Sequence, residues 1–103
     1  MKQQKPFAFA GLWDSWQKKG EPPLYSCTII TTEANDFLKA IHPRMPVIIG
    51  VEDYNNWLDE EIEDTEKLNH FLKPYDQEEM VYYPVSRTVN SPANDVPECI
   101  KAV

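Results

Sequence analysis

The chain has 103 residues, 42% hydrophobic content, twelve aromatics and a formal net charge of −7, which bounds it to one domain or part of one, with one modest core. The composition excludes a disordered or collagen-like chain, and no stretch approaches the ~18 consecutive apolar residues of a membrane span. The negative charge argues against a generally basic nucleic-acid surface, but eight acids fall between Glu52 and Glu66, where there is no Lys or Arg; the remainder is close to neutral and leaves room for a local anion site.

Met1-Lys2-Gln3-Gln4-Lys5 is not followed by the apolar run of a signal peptide, so a cytoplasmic location with no membrane partner is expected. Phe7 to Trp13 is a short apolar run that predicts a strand buried on both faces, with Gly11 marking a close backbone approach. Asp14 to Pro23 then reads as a polar hairpin loop flanked by Trp13 and Trp16. Leu24 to Thr31, rich in β-branched residues, predicts a second strand. Thr32 is placed to cap a helix in which Ala34, Phe37, Leu38 and Ile41 share one stripe and which Pro43 ends.

Beyond that helix, His42-Pro43-Arg44-Met45-Pro46 is the segment where an acid/base group and a cationic clamp sit together. Each proline fixes its own φ and pushes the preceding residue toward extended geometry, so the segment is stiff. In an extended chain His42 and Arg44 share a side about 7 Å apart at Cα. An imidazole near its own pKa beside a planar guanidinium suits chemistry next to a phosphate or carboxylate; a plain surface turn is the competing reading.

Val47-Ile48-Ile49 predicts a short buried strand closed by Gly50, and Asp53 to Leu58 a helical turn with Tyr54, Trp57 and Leu58 on its apolar side. The acidic stretch that follows reads as a solvated face, since a calcium loop would want alternating Asp/Asn around a central glycine. Thr65 to Lys73 predicts a helix stopped by Pro74, with His70 exposed. Met80 to Val89 predicts a last strand, with Val81, Tyr83, Val85, Arg87 and Val89 on one face, Tyr82, Pro84, Ser86 and Thr88 on the other, and Pro84 marking an edge. Cys27 and Cys99 form no C-x-x-C pattern and read as reduced thiols, while His42 and His70 lack zinc spacing, so no metal or cofactor is expected. The order of elements predicts an α+β class: a β-rich mixed sheet or partly open barrel with short helices.

Four blocks carry a resemblance: Phe9-Ala10-Gly11-Leu12-Trp13-Asp14, Cys27 to Asn35, Ile41 to Val47, and Tyr83 to Asn90. Together they resemble, in order and spacing, the second half of the SOS response-associated peptidase (SRAP) family. The resemblance implies a compact β-rich fold that binds single-stranded DNA and forms a covalent thiazolidine with the aldehyde of an abasic site. The family nucleophile is an N-terminal cysteine exposed by processing, assisted by a glutamate and a histidine. By position, His42 matches the histidine that acts as general acid/base at the sugar, Arg44 a residue that holds DNA phosphate, Thr31 a threonine lining the same pocket, and Ser86 and Arg87 the motif on the last strand.

This chain begins Met1-Lys2-Gln3 and lacks the nucleophilic cysteine and the segment bearing the glutamate. It is therefore read as the C-terminal half of an SRAP domain spanning residues 1–103, inactive in crosslinking when alone. Half a sheet leaves edges and apolar faces uncovered, which predicts pairing with a missing N-terminal half or self-association. A structural or interaction domain without DNA chemistry is the alternative, and an independent hydrolase using Thr31 and His42 ranks behind both.

Overall fold

The computed structural model describes residues 1–103. Three extended segments organise the chain. The first comprises β1 (Ala8–Phe9) and β2 (Gly11–Trp16), the second β3 (Leu24–Ile29) and β4 (Thr31–Glu33), the third β5 (Arg44–Pro46) and β6 (Ile48–Ile49). Each is interrupted at one residue, Ala10, Ile30 or Val47, and changes partner there. β1 pairs with β6, β2 with β3 and β4 with β5, all antiparallel. The three interrupting residues bond one another in a closed ring: Ala10 N–H donates to Val47 O at 2.8 Å, Val47 N–H to Ile30 O at 2.9 Å, and Ile30 N–H to Ala10 O at 2.9 Å. The ring satisfies the backbone donors where the ladders would otherwise end, in a place closed to water. Ala10 and Val47 have no exposed surface.

The fold is therefore a three-armed junction, with a small core on either side of it. Val47 and Ile49 face one side, where Ile30, Tyr54, Trp57, Phe71 and Leu72 pack against them. Met45 and Ile48 face the other, covered by Leu38, Tyr75, Met80 and Met1. The helical cover is short: α1 (Asp36–Lys39), α2 (Tyr54–Trp57) and α3 (Thr65–Asn69). Trp57 and Phe71 meet edge to face at 5.9 Å, joining the α2 and α3 regions over the first core. Gly11 is required, because a Cβ there would stand 2.9 Å from Thr28 O.

The α+β class is as expected, and the Val47 to Ile49 strand is as buried as its composition implies. Other expectations are corrected. α1 is capped by Asn35, since Thr32 lies in β4, and Ile41 is exposed beyond the helix. Met80 to Val89 forms no strand: it holds one bridge, Val85 to Ala102, and its tail winds into a 3-10 turn, Arg87–Asn90. β-branched and aromatic residues make a strand only where a partner edge lies alongside, and here the C-terminal residues offer a single bridging position. The first segment is not buried on both faces either, since Leu12 and Trp13 are exposed. The acidic stretch is a solvated turn region in which Asp59 and Asp64 accept from the N–H groups of Glu61 and Glu66.

Only six residues are buried, and the accessible surface is 8786 Å². A compact protein of this mass exposes about 6,000 Å². The radius of gyration, 17.1 Å, likewise exceeds the roughly 13 Å of a compact domain of this length.

Tyr75 gives the second core a titratable member. Burial first, then the charges of Glu79, Glu52 and Asp76, raise its phenol above the ordinary value of 10.0. A raised folded-state pKa means that the unfolded chain releases its proton first as pH climbs, so stability falls from about pH 10 upward. Thermal melts between pH 8 and 11 are expected to show this decline, and Tyr75→Phe to flatten it. An unchanged alkaline slope in that variant would assign the decline to other groups.

Candidate functional site

The β4–β5 arm carries the site. Asn35 builds its far end: its Oδ1 accepts from Leu38 N–H at 3.0 Å, and its Nδ2 donates to Tyr75 O at 2.9 Å and Met80 Sδ at 3.3 Å. One side chain thus starts α1 and ties it to the C-terminal part of the chain. After α1, Ile41 and His42 N–H both donate to Leu38 O. Ala34 N–H donates to Pro43 O at 2.9 Å, which turns the chain back alongside itself as β5.

Register then fixes the face. Thr31 lies opposite Pro46, Thr32 opposite Met45 and Glu33 opposite Arg44. With a period of two, Met45 turns into the core while Thr31, Glu33 and Arg44 share the outer face. Arg44 Nη2 reaches diagonally to donate to Thr31 O at 2.9 Å and Thr31 Oγ1 at 3.1 Å. The guanidinium enters no salt bridge; the chain's one ion pair is Lys39–Asp36. Two of its five N–H directions are at most committed, so the rest of the fork is unpaired, with Glu33 across the ladder from it but beyond ion-pair distance.

His42 folds back onto the same residue. Its Nδ1 lies 3.0 Å from Arg44 N and 3.1 Å from Arg44 O. When Nδ1 is unprotonated it accepts the Arg44 N–H, and when it carries a proton it donates to the Arg44 carbonyl. Either protonation state thus keeps a backbone partner on the same residue, and Nε2 is left free. The i to i+2 bond is the imidazole counterpart of an Asx turn. The structure therefore brings together Thr31, His42 and Arg44, which the sequence separates by up to 13 positions.

Ser86 and Arg87 are not joined to this group. Ser86 Oγ accepts from Thr88 N–H at 3.3 Å and caps the 3-10 turn, and Arg87 is exposed and without an ion pair. Two residues of the site escaped the sequence reading. Glu33 sits directly across from Arg44, a placement that the alternation Thr31-Thr32-Glu33 implies once the segment is read as strand. Asn35 precedes Asp36 as a cap should, a signal that Thr32 obscured. No group of three or more His, Cys, Asp or Glu side chains is gathered for a metal ion, and Cys27 and Cys99 are free.

An imidazole with one free nitrogen beside a braced, unpaired guanidinium, on the open arm of an α+β fold, defines a surface suited to an anionic ligand whose chemistry needs proton transfer. The model of the family described as SOS response associated peptidase (SRAP) matches residues 1–92, and the chain belongs to that family. It is 45% identical over 102 residues to the abasic site processing protein YoqW of Bacillus subtilis, a match covering 99% of this chain and 46% of the relative. It is 42% identical over 93 residues to the abasic site processing protein HMCES of Gallus gallus, covering 88% and 27%. A crystal structure of a protein from Bacteroides thetaiotaomicron superposes with a TM-score of 0.82 at 28% identity, over 98% of this chain and 46% of the other. The chain spans about half the length of the Bacillus relative it matches.

Proposed function

We propose that residues 1–103 form the C-terminal half of an SRAP domain and that the β4–β5 arm binds single-stranded DNA at an abasic site. The observation that carries this reading is the Thr31–His42–Arg44 group, in a family whose relatives are named for abasic site processing. Arg44, braced by Thr31, holds a backbone phosphate with the free part of its fork. Ser86 and Arg87, which are not joined to this group, make a separate contact to the DNA strand, Arg87 as a second cation. His42 Nε2 moves protons at the opened sugar.

The covalent step requires an amine and a thiol on one residue. The amine condenses with the sugar aldehyde and releases water, and the thiol then adds across the resulting C=N bond to close a thiazolidine. Cys27 and Cys99 are internal and offer only the thiol. Crosslinking, and the peptidase activity and SOS link in the family name, therefore belong to a domain completed by an N-terminal cysteine. A cytoplasmic location goes with this reading, and no helix of the chain is long and apolar enough to cross a membrane.

The large exposed apolar surface favours a second reading, an interaction domain that self-associates or takes a partner without touching DNA. Binding to a single-stranded oligonucleotide over a salt series separates the two. The DNA reading predicts that log K falls linearly with log salt, and that Arg44→Ala weakens binding and reduces the slope by about 0.7, the share of one phosphate on a single strand. Binding that is absent, or insensitive to salt, leaves the interaction reading.

A further inference from the structure

We propose that the groove between β2 and the acidic segment after α2 is a docking site for a basic, apolar segment of another protein, one in which lysine or arginine flanks a few large apolar side chains. The proposal is independent of the DNA reading, since the groove is built from β2, α2 and α3 and the DNA arm from β4 and β5.

The groove encloses about 340 Å³, and Leu12, Trp13, Trp57, Leu58, Ile62 and Leu68 line it. Its floor is fixed: Trp57 packs against the first core and meets Phe71 edge to face. Its walls are open to solvent, Trp13 being 72% and Leu58 74% exposed. An apolar concavity on a fixed floor is the form of a site that takes side chains from a partner.

Charge selects that partner. Asp59 and Glu60 also line the groove, and with Glu61, Glu63, Asp64 and Glu66 they are exposed and enter no ion pair. Ile62 sits inside this run, so one apolar wall is bracketed by carboxylates, and no Lys or Arg lies between Glu52 and Glu66 to offset them. Such a rim draws cations and repels phosphate, which sets DNA and anionic lipid headgroups at a disadvantage on this face. A second copy of the chain fits no better. It carries a net charge of −7, and two-fold pairing through the groove sets one acidic rim against the other. A cationic segment with apolar anchors satisfies both parts of the surface: the anchors fill the groove, and the ammonium or guanidinium groups meet the rim and the Trp13 ring.

The test is selection of a random dodecapeptide phage library on the full chain. The enriched peptides, with any tryptophan replaced by phenylalanine, are then titrated by calorimetry and by the chain's tryptophan emission. They are expected to carry Lys or Arg around large apolar residues, and to shift the emission to the blue as Trp13 leaves water. Trp13→Thr and Leu58→Ser, both at exposed positions, are expected to keep the circular dichroism and to weaken binding at least tenfold each. Asp59→Asn with Glu60→Gln is expected to weaken binding severalfold and to lower its salt dependence. Four results would overturn the proposal: no enrichment, enrichment of acidic or uncharged peptides, binding that follows positive charge alone and survives Trp13→Thr and Leu58→Ser, or self-association of the free chain that those two substitutions abolish. None of the four bears on Arg44 and DNA.

Discussion

Replacing His42 by alanine is expected to slow covalent capture of an abasic site by about 10²- to 10⁴-fold, the range of a positioned general acid/base. The assay is the chain combined with a nucleophile-bearing complementary half and an oligonucleotide carrying one abasic site, followed on a denaturing gel. Affinity for intact single-stranded DNA is expected to stay within about twofold, because the charge proposed to meet phosphate is on Arg44. The reverse split is expected for Arg44→Ala, which loosens binding and spares the rate at saturating DNA.

His42 also makes a turn, so alanine alone confounds chemistry with geometry. His42→Asn separates them. Asparagine Oδ1 can take the Arg44 N–H at the place where Nδ1 now stands 3.0 Å away, preserving the i to i+2 bond. It has no titrating nitrogen. If asparagine restores the rate that alanine loses, His42 is a turn former and the acid/base role falls. If both variants are equally slow, proton transfer is the residue's contribution.

The site was more legible in the sequence than the fold around it, and the reason is local. Two prolines constrain His42, Pro43, Met45 and Pro46 whatever lies beside them, so the stiffness of the segment follows from covalent constraint, while the extended geometry of Arg44 itself comes from its pairing with Glu33. The bracing of Arg44 by Thr31 depends on a ladder between residues 13 apart, for which the sequence offers only strand propensity on each side. Thr32 illustrates the ambiguity: a threonine followed by an acid suits a helix cap and a strand equally, and the ladder with Met45 decides for the strand. The Met80 to Val89 segment failed the other way. Its β-branched and aromatic residues suit a strand, but no neighbouring segment completes it beyond Val85 and Ala102. The junction was invisible, since Ala10, Ile30 and Val47 carry no sign of a ring closed by three backbone bonds.

That ring sets the largest stability effect. Val47→Asp is expected to abolish the cooperative thermal and urea transitions, whereas Val47→Ala costs about 2 kcal/mol from two lost carbons and the cavity they leave. Val47 has no exposed surface and sits in the core with Ala10 and Ile49. An aspartate there either buries an unpaired carboxylate, at a cost of several kcal/mol, or pulls residue 47 toward water and opens the ring. Domains have 5–15 kcal/mol in total, and this one rests on six buried residues. Leu58→Asp places the same charge on a side chain that is 74% exposed and is expected to change stability by less than 0.5 kcal/mol. Every arm meets at Val47, so Val47→Asp is also expected to remove DNA binding, although it does not touch that surface. Should that variant retain a cooperative transition within 2 kcal/mol of the parent, the three arms are held by their helical cover, and the junction is a consequence of the fold and not its support.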